Sequence, residues 1–229
     1  MTAPEDYEPL VADAVKEFWD SRAGQGEKQR LSGKVDAGTR GAVTGGKHLD
    51  SLAVLTAKVF LDNGLTIADR TTLPGWYRRN KNWDILAMHR SQLAGIVELK
   101  SQVGSIGNNA NNRIEEMIGQ SVDILKAGRE NLLGGLPSWF GYAMVIGDSA
   151  RARSVAKRRG SELDGYPADP VFDNTSYIDR YRIAFERLQA EKELDAGLLI
   201  ARRTGLTGTR PRLAPSRRSL LLSRLEPPS

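Results

Sequence analysis

The sequence predicts an α/β domain with a mixed β-sheet flanked by α-helices. Three observations point to that class. Apolar residues recur at helical spacing in four separate stretches. Short apolar runs of strand length lie between those stretches, and no internal repeat is visible.

In chain order, Tyr7, Leu10, Val11, Ala14, Val15, Phe18 and Trp19 define an amphipathic helix over 7–19. Residues 22–46 carry seven glycines and little apolar periodicity, and read as a long loop. A second helix is expected over 48–63, with Leu52, Leu55, Val59 and Phe60 inward and Gly64 closing it. The run LTIADRT (65–71) suits a strand, and Pro74–Gly75 marks a turn. WDILAM (83–88) and LAGIVELK (93–100) read as two strands of a hairpin, joined through His89–Leu93. After Gly104–Asn112, the residues Ile114, Met117, Ile118, Ser121 and Leu125 share one helical face. YAMVIG (142–147) reads as a buried strand, residues 148–175 as irregular, and 177–195 as a helix with Tyr177, Tyr181, Ala184, Phe185, Leu188 and Leu194 inward.

Composition narrows the chemistry. The chain has 229 residues, 40% hydrophobic and 27% charged, as a globular protein does. No apolar stretch is long enough to span a bilayer, and MTAPEDYEPL is too acidic and polar for a secretory signal, so a cytoplasmic protein is expected. Zero cysteines exclude disulfides, thiolate metal sites and a cysteine nucleophile. With only His48 and His89, any metal is expected to sit on carboxylates, which favours a hard ion such as Mg2+. Residues 201–229 hold seven arginines against Glu226, a net of +6. Because the whole chain is +5, the first 200 residues carry −1. Residues 1–200 therefore read as one domain containing the Gly-rich loop 22–46, and 201–229 as a loosely ordered Arg/Pro-rich tail.

The sharpest candidate for chemistry is Asp84 with Glu98 and Lys100. Glu98 and Lys100 are two apart on one strand and share a face. Asp84 opens the neighbouring strand and can meet Glu98 across the ladder. Glu98 also ends the apolar run IVEL, where a charge is costly unless paired or bound to metal. Two carboxylates and an ammonium suit metal-assisted phosphodiester hydrolysis. A plain salt bridge at a sheet edge fits the same spacing. Asn108, Asn109, Asn111, Asn112 and Arg113 follow closely. Asn and Arg are the side chains that read base edges bidentately, although Asn is also common in turns and helix caps.

At WDILAM, IVELKSQVGSIGNNANNRIEEMIG, TRGAVTGGKHLD (39–50) and SYIDRYRI (176–183) the chain resembles the XhoI family of type II restriction endonucleases, within the PD-(D/E)xK nuclease fold. The resemblance runs from about residue 7 to 200 and stops at the tail. It implies a PD-(D/E)xK restriction-endonuclease-like core and a homodimeric, Mg2+-dependent endonuclease acting on double-stranded DNA. The metal-binding acids fall on Asp84 and Glu98, and the active-site lysine on Lys100. The family's usual target is CTCGAG, cut after the first C, beside a methyltransferase that protects host DNA. Trp83 stands where the fold's name has proline.

Weaker candidates remain. Arg40 and Lys47, with His48, can hold a DNA phosphate near a helix start, or lie in a solvated loop. Arg78, Arg79 and Lys81 suit phosphate contact or, in preference, a solvated turn. Glu116 and Asp50 are candidate supporting acids, and the default role of Glu116 is to oppose the helix dipole. The cluster Arg151, Arg153, Lys157, Arg158 and Arg159 either tracks phosphates or is solvated. A structure-specific or repair nuclease of the same fold, and a non-catalytic DNA-binding module, are the competing classes.

Overall fold

A computed structural model describes residues 7–31, 49–134, 139–156, 163–202 and 212–213. The chain runs α1 (Glu8–Leu31), α2 (Asp50–Asp62), β1 (Thr66–Ile67), β2 (Thr72–Leu73), β3 (Lys81–Asn82), β4 (Ile85–His89) and β5 (Gln92–Gln102). It continues through α3 (Ile106–Arg129), β6 (Trp139–Gly147), α4 (Ala150–Arg153), α5 (Tyr177–Ala190), β7 (Ala196–Arg202) and β8 (Arg212–Leu213). Six strands form one sheet in the order β1-β4-β5-β6-β7-β8, and β2 pairs with β3 separately. β5, β6 and β7 run parallel, whereas β1–β4, β4–β5 and β7–β8 are antiparallel. The sheet is mixed and flanked by helices, as the sequence pattern predicts.

Strand alternation divides the core into two layers. Leu86, Ile96, Phe140, Tyr142, Met144 and Leu199 pack with Met117 and Ile124 of α3 and Tyr181 and Phe185 of α5. Ile85, Val97, Leu99, Val145 and Ile200 face the other way, against Val15 and Phe18 of α1 and Leu52 and Phe60 of α2. Burying large side chains at roughly 1.5–3 kcal/mol each makes this two-sided packing the main stabilising term.

Several boundaries differ from expectation. α1 continues through residues 22–31, so the first ten residues of the expected loop are helical. Glu27, Lys28, Gln29 and Arg30 are good helix formers and no proline intervenes; Gly24 and Gly26 cost about 1 kcal/mol each without stopping the helix. Residues 32–46 lie outside the described part. The expected strand 65–71 contracts to Thr66–Ile67. The β4–β5 connection is only Arg90–Ser91, both at positive φ (47° and 65°), which suits the two-residue turn of a right-twisted hairpin. α3 starts at Ile106, so the asparagine run is helical rather than a turn. Gly107 is not a turn glycine either; a Cβ there would lie 3.1 Å from the Tyr177 hydroxyl and 3.0 Å from Arg151. Within the segment 148–175, expected to be irregular, sit α4 and a short 3-10 turn at Pro170–Phe172. α5 ends at Ala190. β7 has no counterpart among the expected strands and runs two residues past the boundary at 200, while Arg212–Leu213 of the expected tail pairs with it.

Candidate active site

The β4–β5 ladder brings the three sequence-predicted residues together. Ile85 pairs with Val97, so one step further places Asp84 beside Glu98. The Leu99 backbone N–H donates to Asp84 Oδ2 at 2.6 Å. Lys100 donates to Glu98 Oε1. Glu98 is no edge residue: β5 has β4 on one side and β6 on the other, and Glu98 is 1% exposed.

Further side chains close around Glu98. Lys81, at the start of β3, donates to Glu98 Oε2 at 2.5 Å. Its ammonium lies 4.1 Å from the Trp83 ring centroid, where the π face partly replaces lost hydration. Gln120, buried on α3, donates to Glu98 Oε1 at 3.3 Å. Tyr142 is opposite Glu98 on β6, and its buried hydroxyl has no hydrogen-bond partner among the described residues. Burial, and next the Glu98 charge, pushes that phenol well above the usual tyrosine range.

Asp84 opens to solvent as a residue, yet its carboxylate end is crowded by the neighbouring strand. Burial, and then the charge of Glu98, raises its pKa, with the Leu99 N–H bond opposing them. Burial also lowers the Lys81 pKa, against the attraction of Glu98.

Two carboxylates side by side present oxygen donors to a cation. The donors are all oxygen, with no imidazole or thiolate, which fits a hard divalent ion. Among the described residues no group of three or more His, Cys, Asp or Glu side chains gathers to hold a metal. Asp84 and Glu98 are thus the two acids that could hold such an ion. Lys81 and Lys100 already balance the two acids, so a divalent ion would leave the site positive, which suits a phosphodiester.

The other candidates are scattered. Asn109, Asn111 and Asn112 are exposed on the first two turns of α3, and the Asn108 backbone is helical there. These turns leave the end of β5 that carries Glu98 and Lys100. Arg113 is half-buried and donates to Glu116 at 2.6 Å, so it is engaged within the protein. Glu116 thereby pairs with Arg113 rather than joining Asp84 and Glu98, although its charge is felt at Tyr142. Asp50 is exposed at the start of α2, whose Leu52 and Phe60 pack on the opposite face of the sheet. Arg40, Lys47 and His48 lie outside the described residues. In the basic cluster, Arg151 stacks 5.4 Å from the Tyr177 ring and Arg153 pairs with buried Asp148; residues 157–159 are outside the described part. Tyr177 and Tyr181 are core.

Gln120 is a contributor that the sequence pattern does not single out, and Lys81, expected at a phosphate contact or a solvated turn, instead pairs with Glu98. Gln120 left a faint signal, a polar residue among Met117, Ser121 and Ile124 on an inward helical face. Lys81 was visible as a cation before Asp84 but not as the partner of Glu98, because that contact depends on how β3 approaches β5.

Acids and lysines converging on the central strands of a mixed α/β sheet suit an enzyme that hydrolyses phosphodiesters. Comparison with known proteins gives the family. The family described as Restriction endonuclease XhoI matches residues 28–209. The chain is 34% identical over 194 residues to the type II restriction enzyme XhoI of Xanthomonas vasicola, covering 80% of this chain and 75% of that protein. It is 34% identical over 184 residues to BstVI of Geobacillus stearothermophilus, covering 75% and 80% respectively. It is also 39% identical over 152 residues to AbrI of Azospirillum brasilense, covering 63% and 68%. No solved structure matches. The chain belongs to the XhoI restriction endonuclease family and is a type II site-specific deoxyribonuclease, a hydrolase of double-stranded DNA.

Proposed function

We propose that this enzyme cuts duplex DNA at the palindrome CTCGAG, after the first C of each strand, using Mg2+ held by Asp84 and Glu98 in a PD-(D/E)xK core. The observation that carries the reading is the constellation of Asp84, just before β4, with Glu98 and Lys100 on β5. A divalent ion bound by the two acids supplies Lewis acidity, offsetting charge that gathers on the phosphate in the transition state. The Leu99 N–H fixes the Asp84 carboxylate, and Gln120 and Lys81 fix that of Glu98. Lys100, bonded to Glu98 Oε1, is placed so that its ammonium orients the attacking water. The attack is in line and forms no covalent link to the protein.

Base reading falls to the exposed asparagines of α3, with Arg113 released from Glu116 when DNA arrives. Arg40 and Lys47 add phosphate contacts. A homodimer matches a palindrome, each subunit presenting one site to one strand. A methyltransferase of the same sequence specificity protects host DNA in the cytoplasm where both act.

Digestion of a plasmid of known sequence, followed by sequencing of the ends, tests the reading. Discrete fragments whose strands begin 5′-TCGAG, as cleavage after the first C of CTCGAG requires, support it. A smear, or cutting confined to branched DNA, contradicts it.

A further inference from the structure

We propose that the loop Gly75–Asn80 binds the phosphate backbone of duplex DNA, and that Asp123 is the positioning residue that holds it in place. The inference rests on the nuclease reading above. Residues 70–83 contain Arg70, Arg78, Arg79 and Lys81 and no acid, in a 200-residue body of net charge −1. The loop exposes Trp76, Tyr77 at 70%, Arg79 and Asn80. An exposed arginine flanked by aromatic surface suits a nucleic-acid backbone.

The loop is also anchored. Asp123 on α3 is 3% exposed, and its carboxylate accepts the Tyr77 backbone N–H at 2.7 Å and Arg78 Nε at 2.5 Å. Lys126 lies 5.2 Å from the Trp76 ring centroid. Only glycine fits at 75, because a Cβ there would collide with Asp123 Oδ2 and approach Arg78 Cγ to 2.8 Å. A buried carboxylate is costly unless fully paired, and here its partners belong to an exposed loop whose outer residues add nothing to the core.

The position fits the same role. Arg78 and Lys81 lie 6.0 and 4.1 Å from the Trp83 ring centroid, and Lys81 reaches Glu98. A row of cations thus leads from the loop to the candidate active site. Gln120, three residues before Asp123, donates to Glu98, so one turn of α3 supports both the loop and the catalytic carboxylate. Arg78 is held inward by Asp123, which leaves Arg79 to meet phosphate.

Fluorescence anisotropy in Ca2+, over a range of KCl, reads the contact directly. The probes are a duplex containing CTCGAG and a duplex with that sequence scrambled. Arg79→Ala should weaken both duplexes by the same factor and flatten the slope of log Kd against log salt by about 0.9. Asp123→Asn removes a negative charge, which by bulk electrostatics alone would tighten binding. Positioning predicts the reverse: weaker binding and a flatter slope with the circular dichroism spectrum unchanged. Gly75→Ala, which displaces the loop without altering α3, should give the same result and serves if Asp123→Asn does not fold. Unchanged slopes on both duplexes for Arg79→Ala overturn the proposal and leave the nuclease reading standing. Wild-type protein that binds neither duplex overturns both.

Discussion

Asp84 sits where burial and the neighbouring charge of Glu98 oppose its ionisation, so the active-site geometry is held at a cost in stability. The sign follows from linkage. A folded-state pKa above the unfolded value means that the native protein binds the proton more tightly. Stability from this group is therefore present at low pH and is lost as pH rises from the usual carboxylate range through the raised value. Asp84→Asn, kept neutral, should melt at higher temperature than wild type in EDTA at pH 7, and the difference should vanish near pH 3.5. A lower melting temperature for the variant at pH 7 would show that Asp84 is stabilised where it lies. Lys100→Ala should lose cleavage while keeping the far-ultraviolet spectrum, because Lys81 still pairs with Glu98; a wild-type rate would remove Lys100 from the mechanism. Asp84, Glu98 and Lys100 were legible because strand alternation is strict and a charge closing IVEL stands out. Lys81 was legible as a cation before Asp84 but not as the partner of Glu98, since the separate β2–β3 pair that carries it has no periodic signal. Arg113 was legible as a cation near the asparagines but not as the partner of Glu116, which depends on α3 starting early.

At the scale of elements, α5 shows how local chemistry fixes an end. Ser176 accepts from the Asp179 N–H and Asp179 from the Ser176 N–H, a capping box. Ser176→Ala should cost about 1 kcal/mol in urea unfolding. Packing of the same helix on β7 leaves no room at Gly197, where a Cβ would lie 2.5 Å from the Phe185 ring. Gly197→Ala should therefore destabilise by about 1–3 kcal/mol through overpacking of buried Phe185, again read from the urea midpoint. The apolar helices and the hairpin were legible from periodicity. The helical asparagine run was not, because local preference for turns was overruled by the inward face Ile106, Ala110 and Met117, which binds that segment to the sheet. β7 was missed for a related reason. AGLLIAR is short and apolar, and its place beside β6 comes from a long-range parallel pairing.

At the scale of the molecule, the palindromic target proposed above calls for two active sites related by a two-fold axis. Sedimentation equilibrium should give twice the 25.2 kDa chain mass, and a strictly monomeric protein would mean that the two strands are cut in separate encounters. The chain's mixed sheet places helices on both faces and leaves Asp84, Glu98 and the loop at Gly75–Asn80 on one side of it, where a duplex can lie. The measurement that bears most directly on this account is plasmid cleavage by Glu98→Gln beside wild type in Mg2+, with Ca2+-supported duplex binding measured on the same preparations. The account predicts that the variant binds DNA and leaves the plasmid intact. Cleavage by Glu98→Gln at the wild-type rate would contradict it.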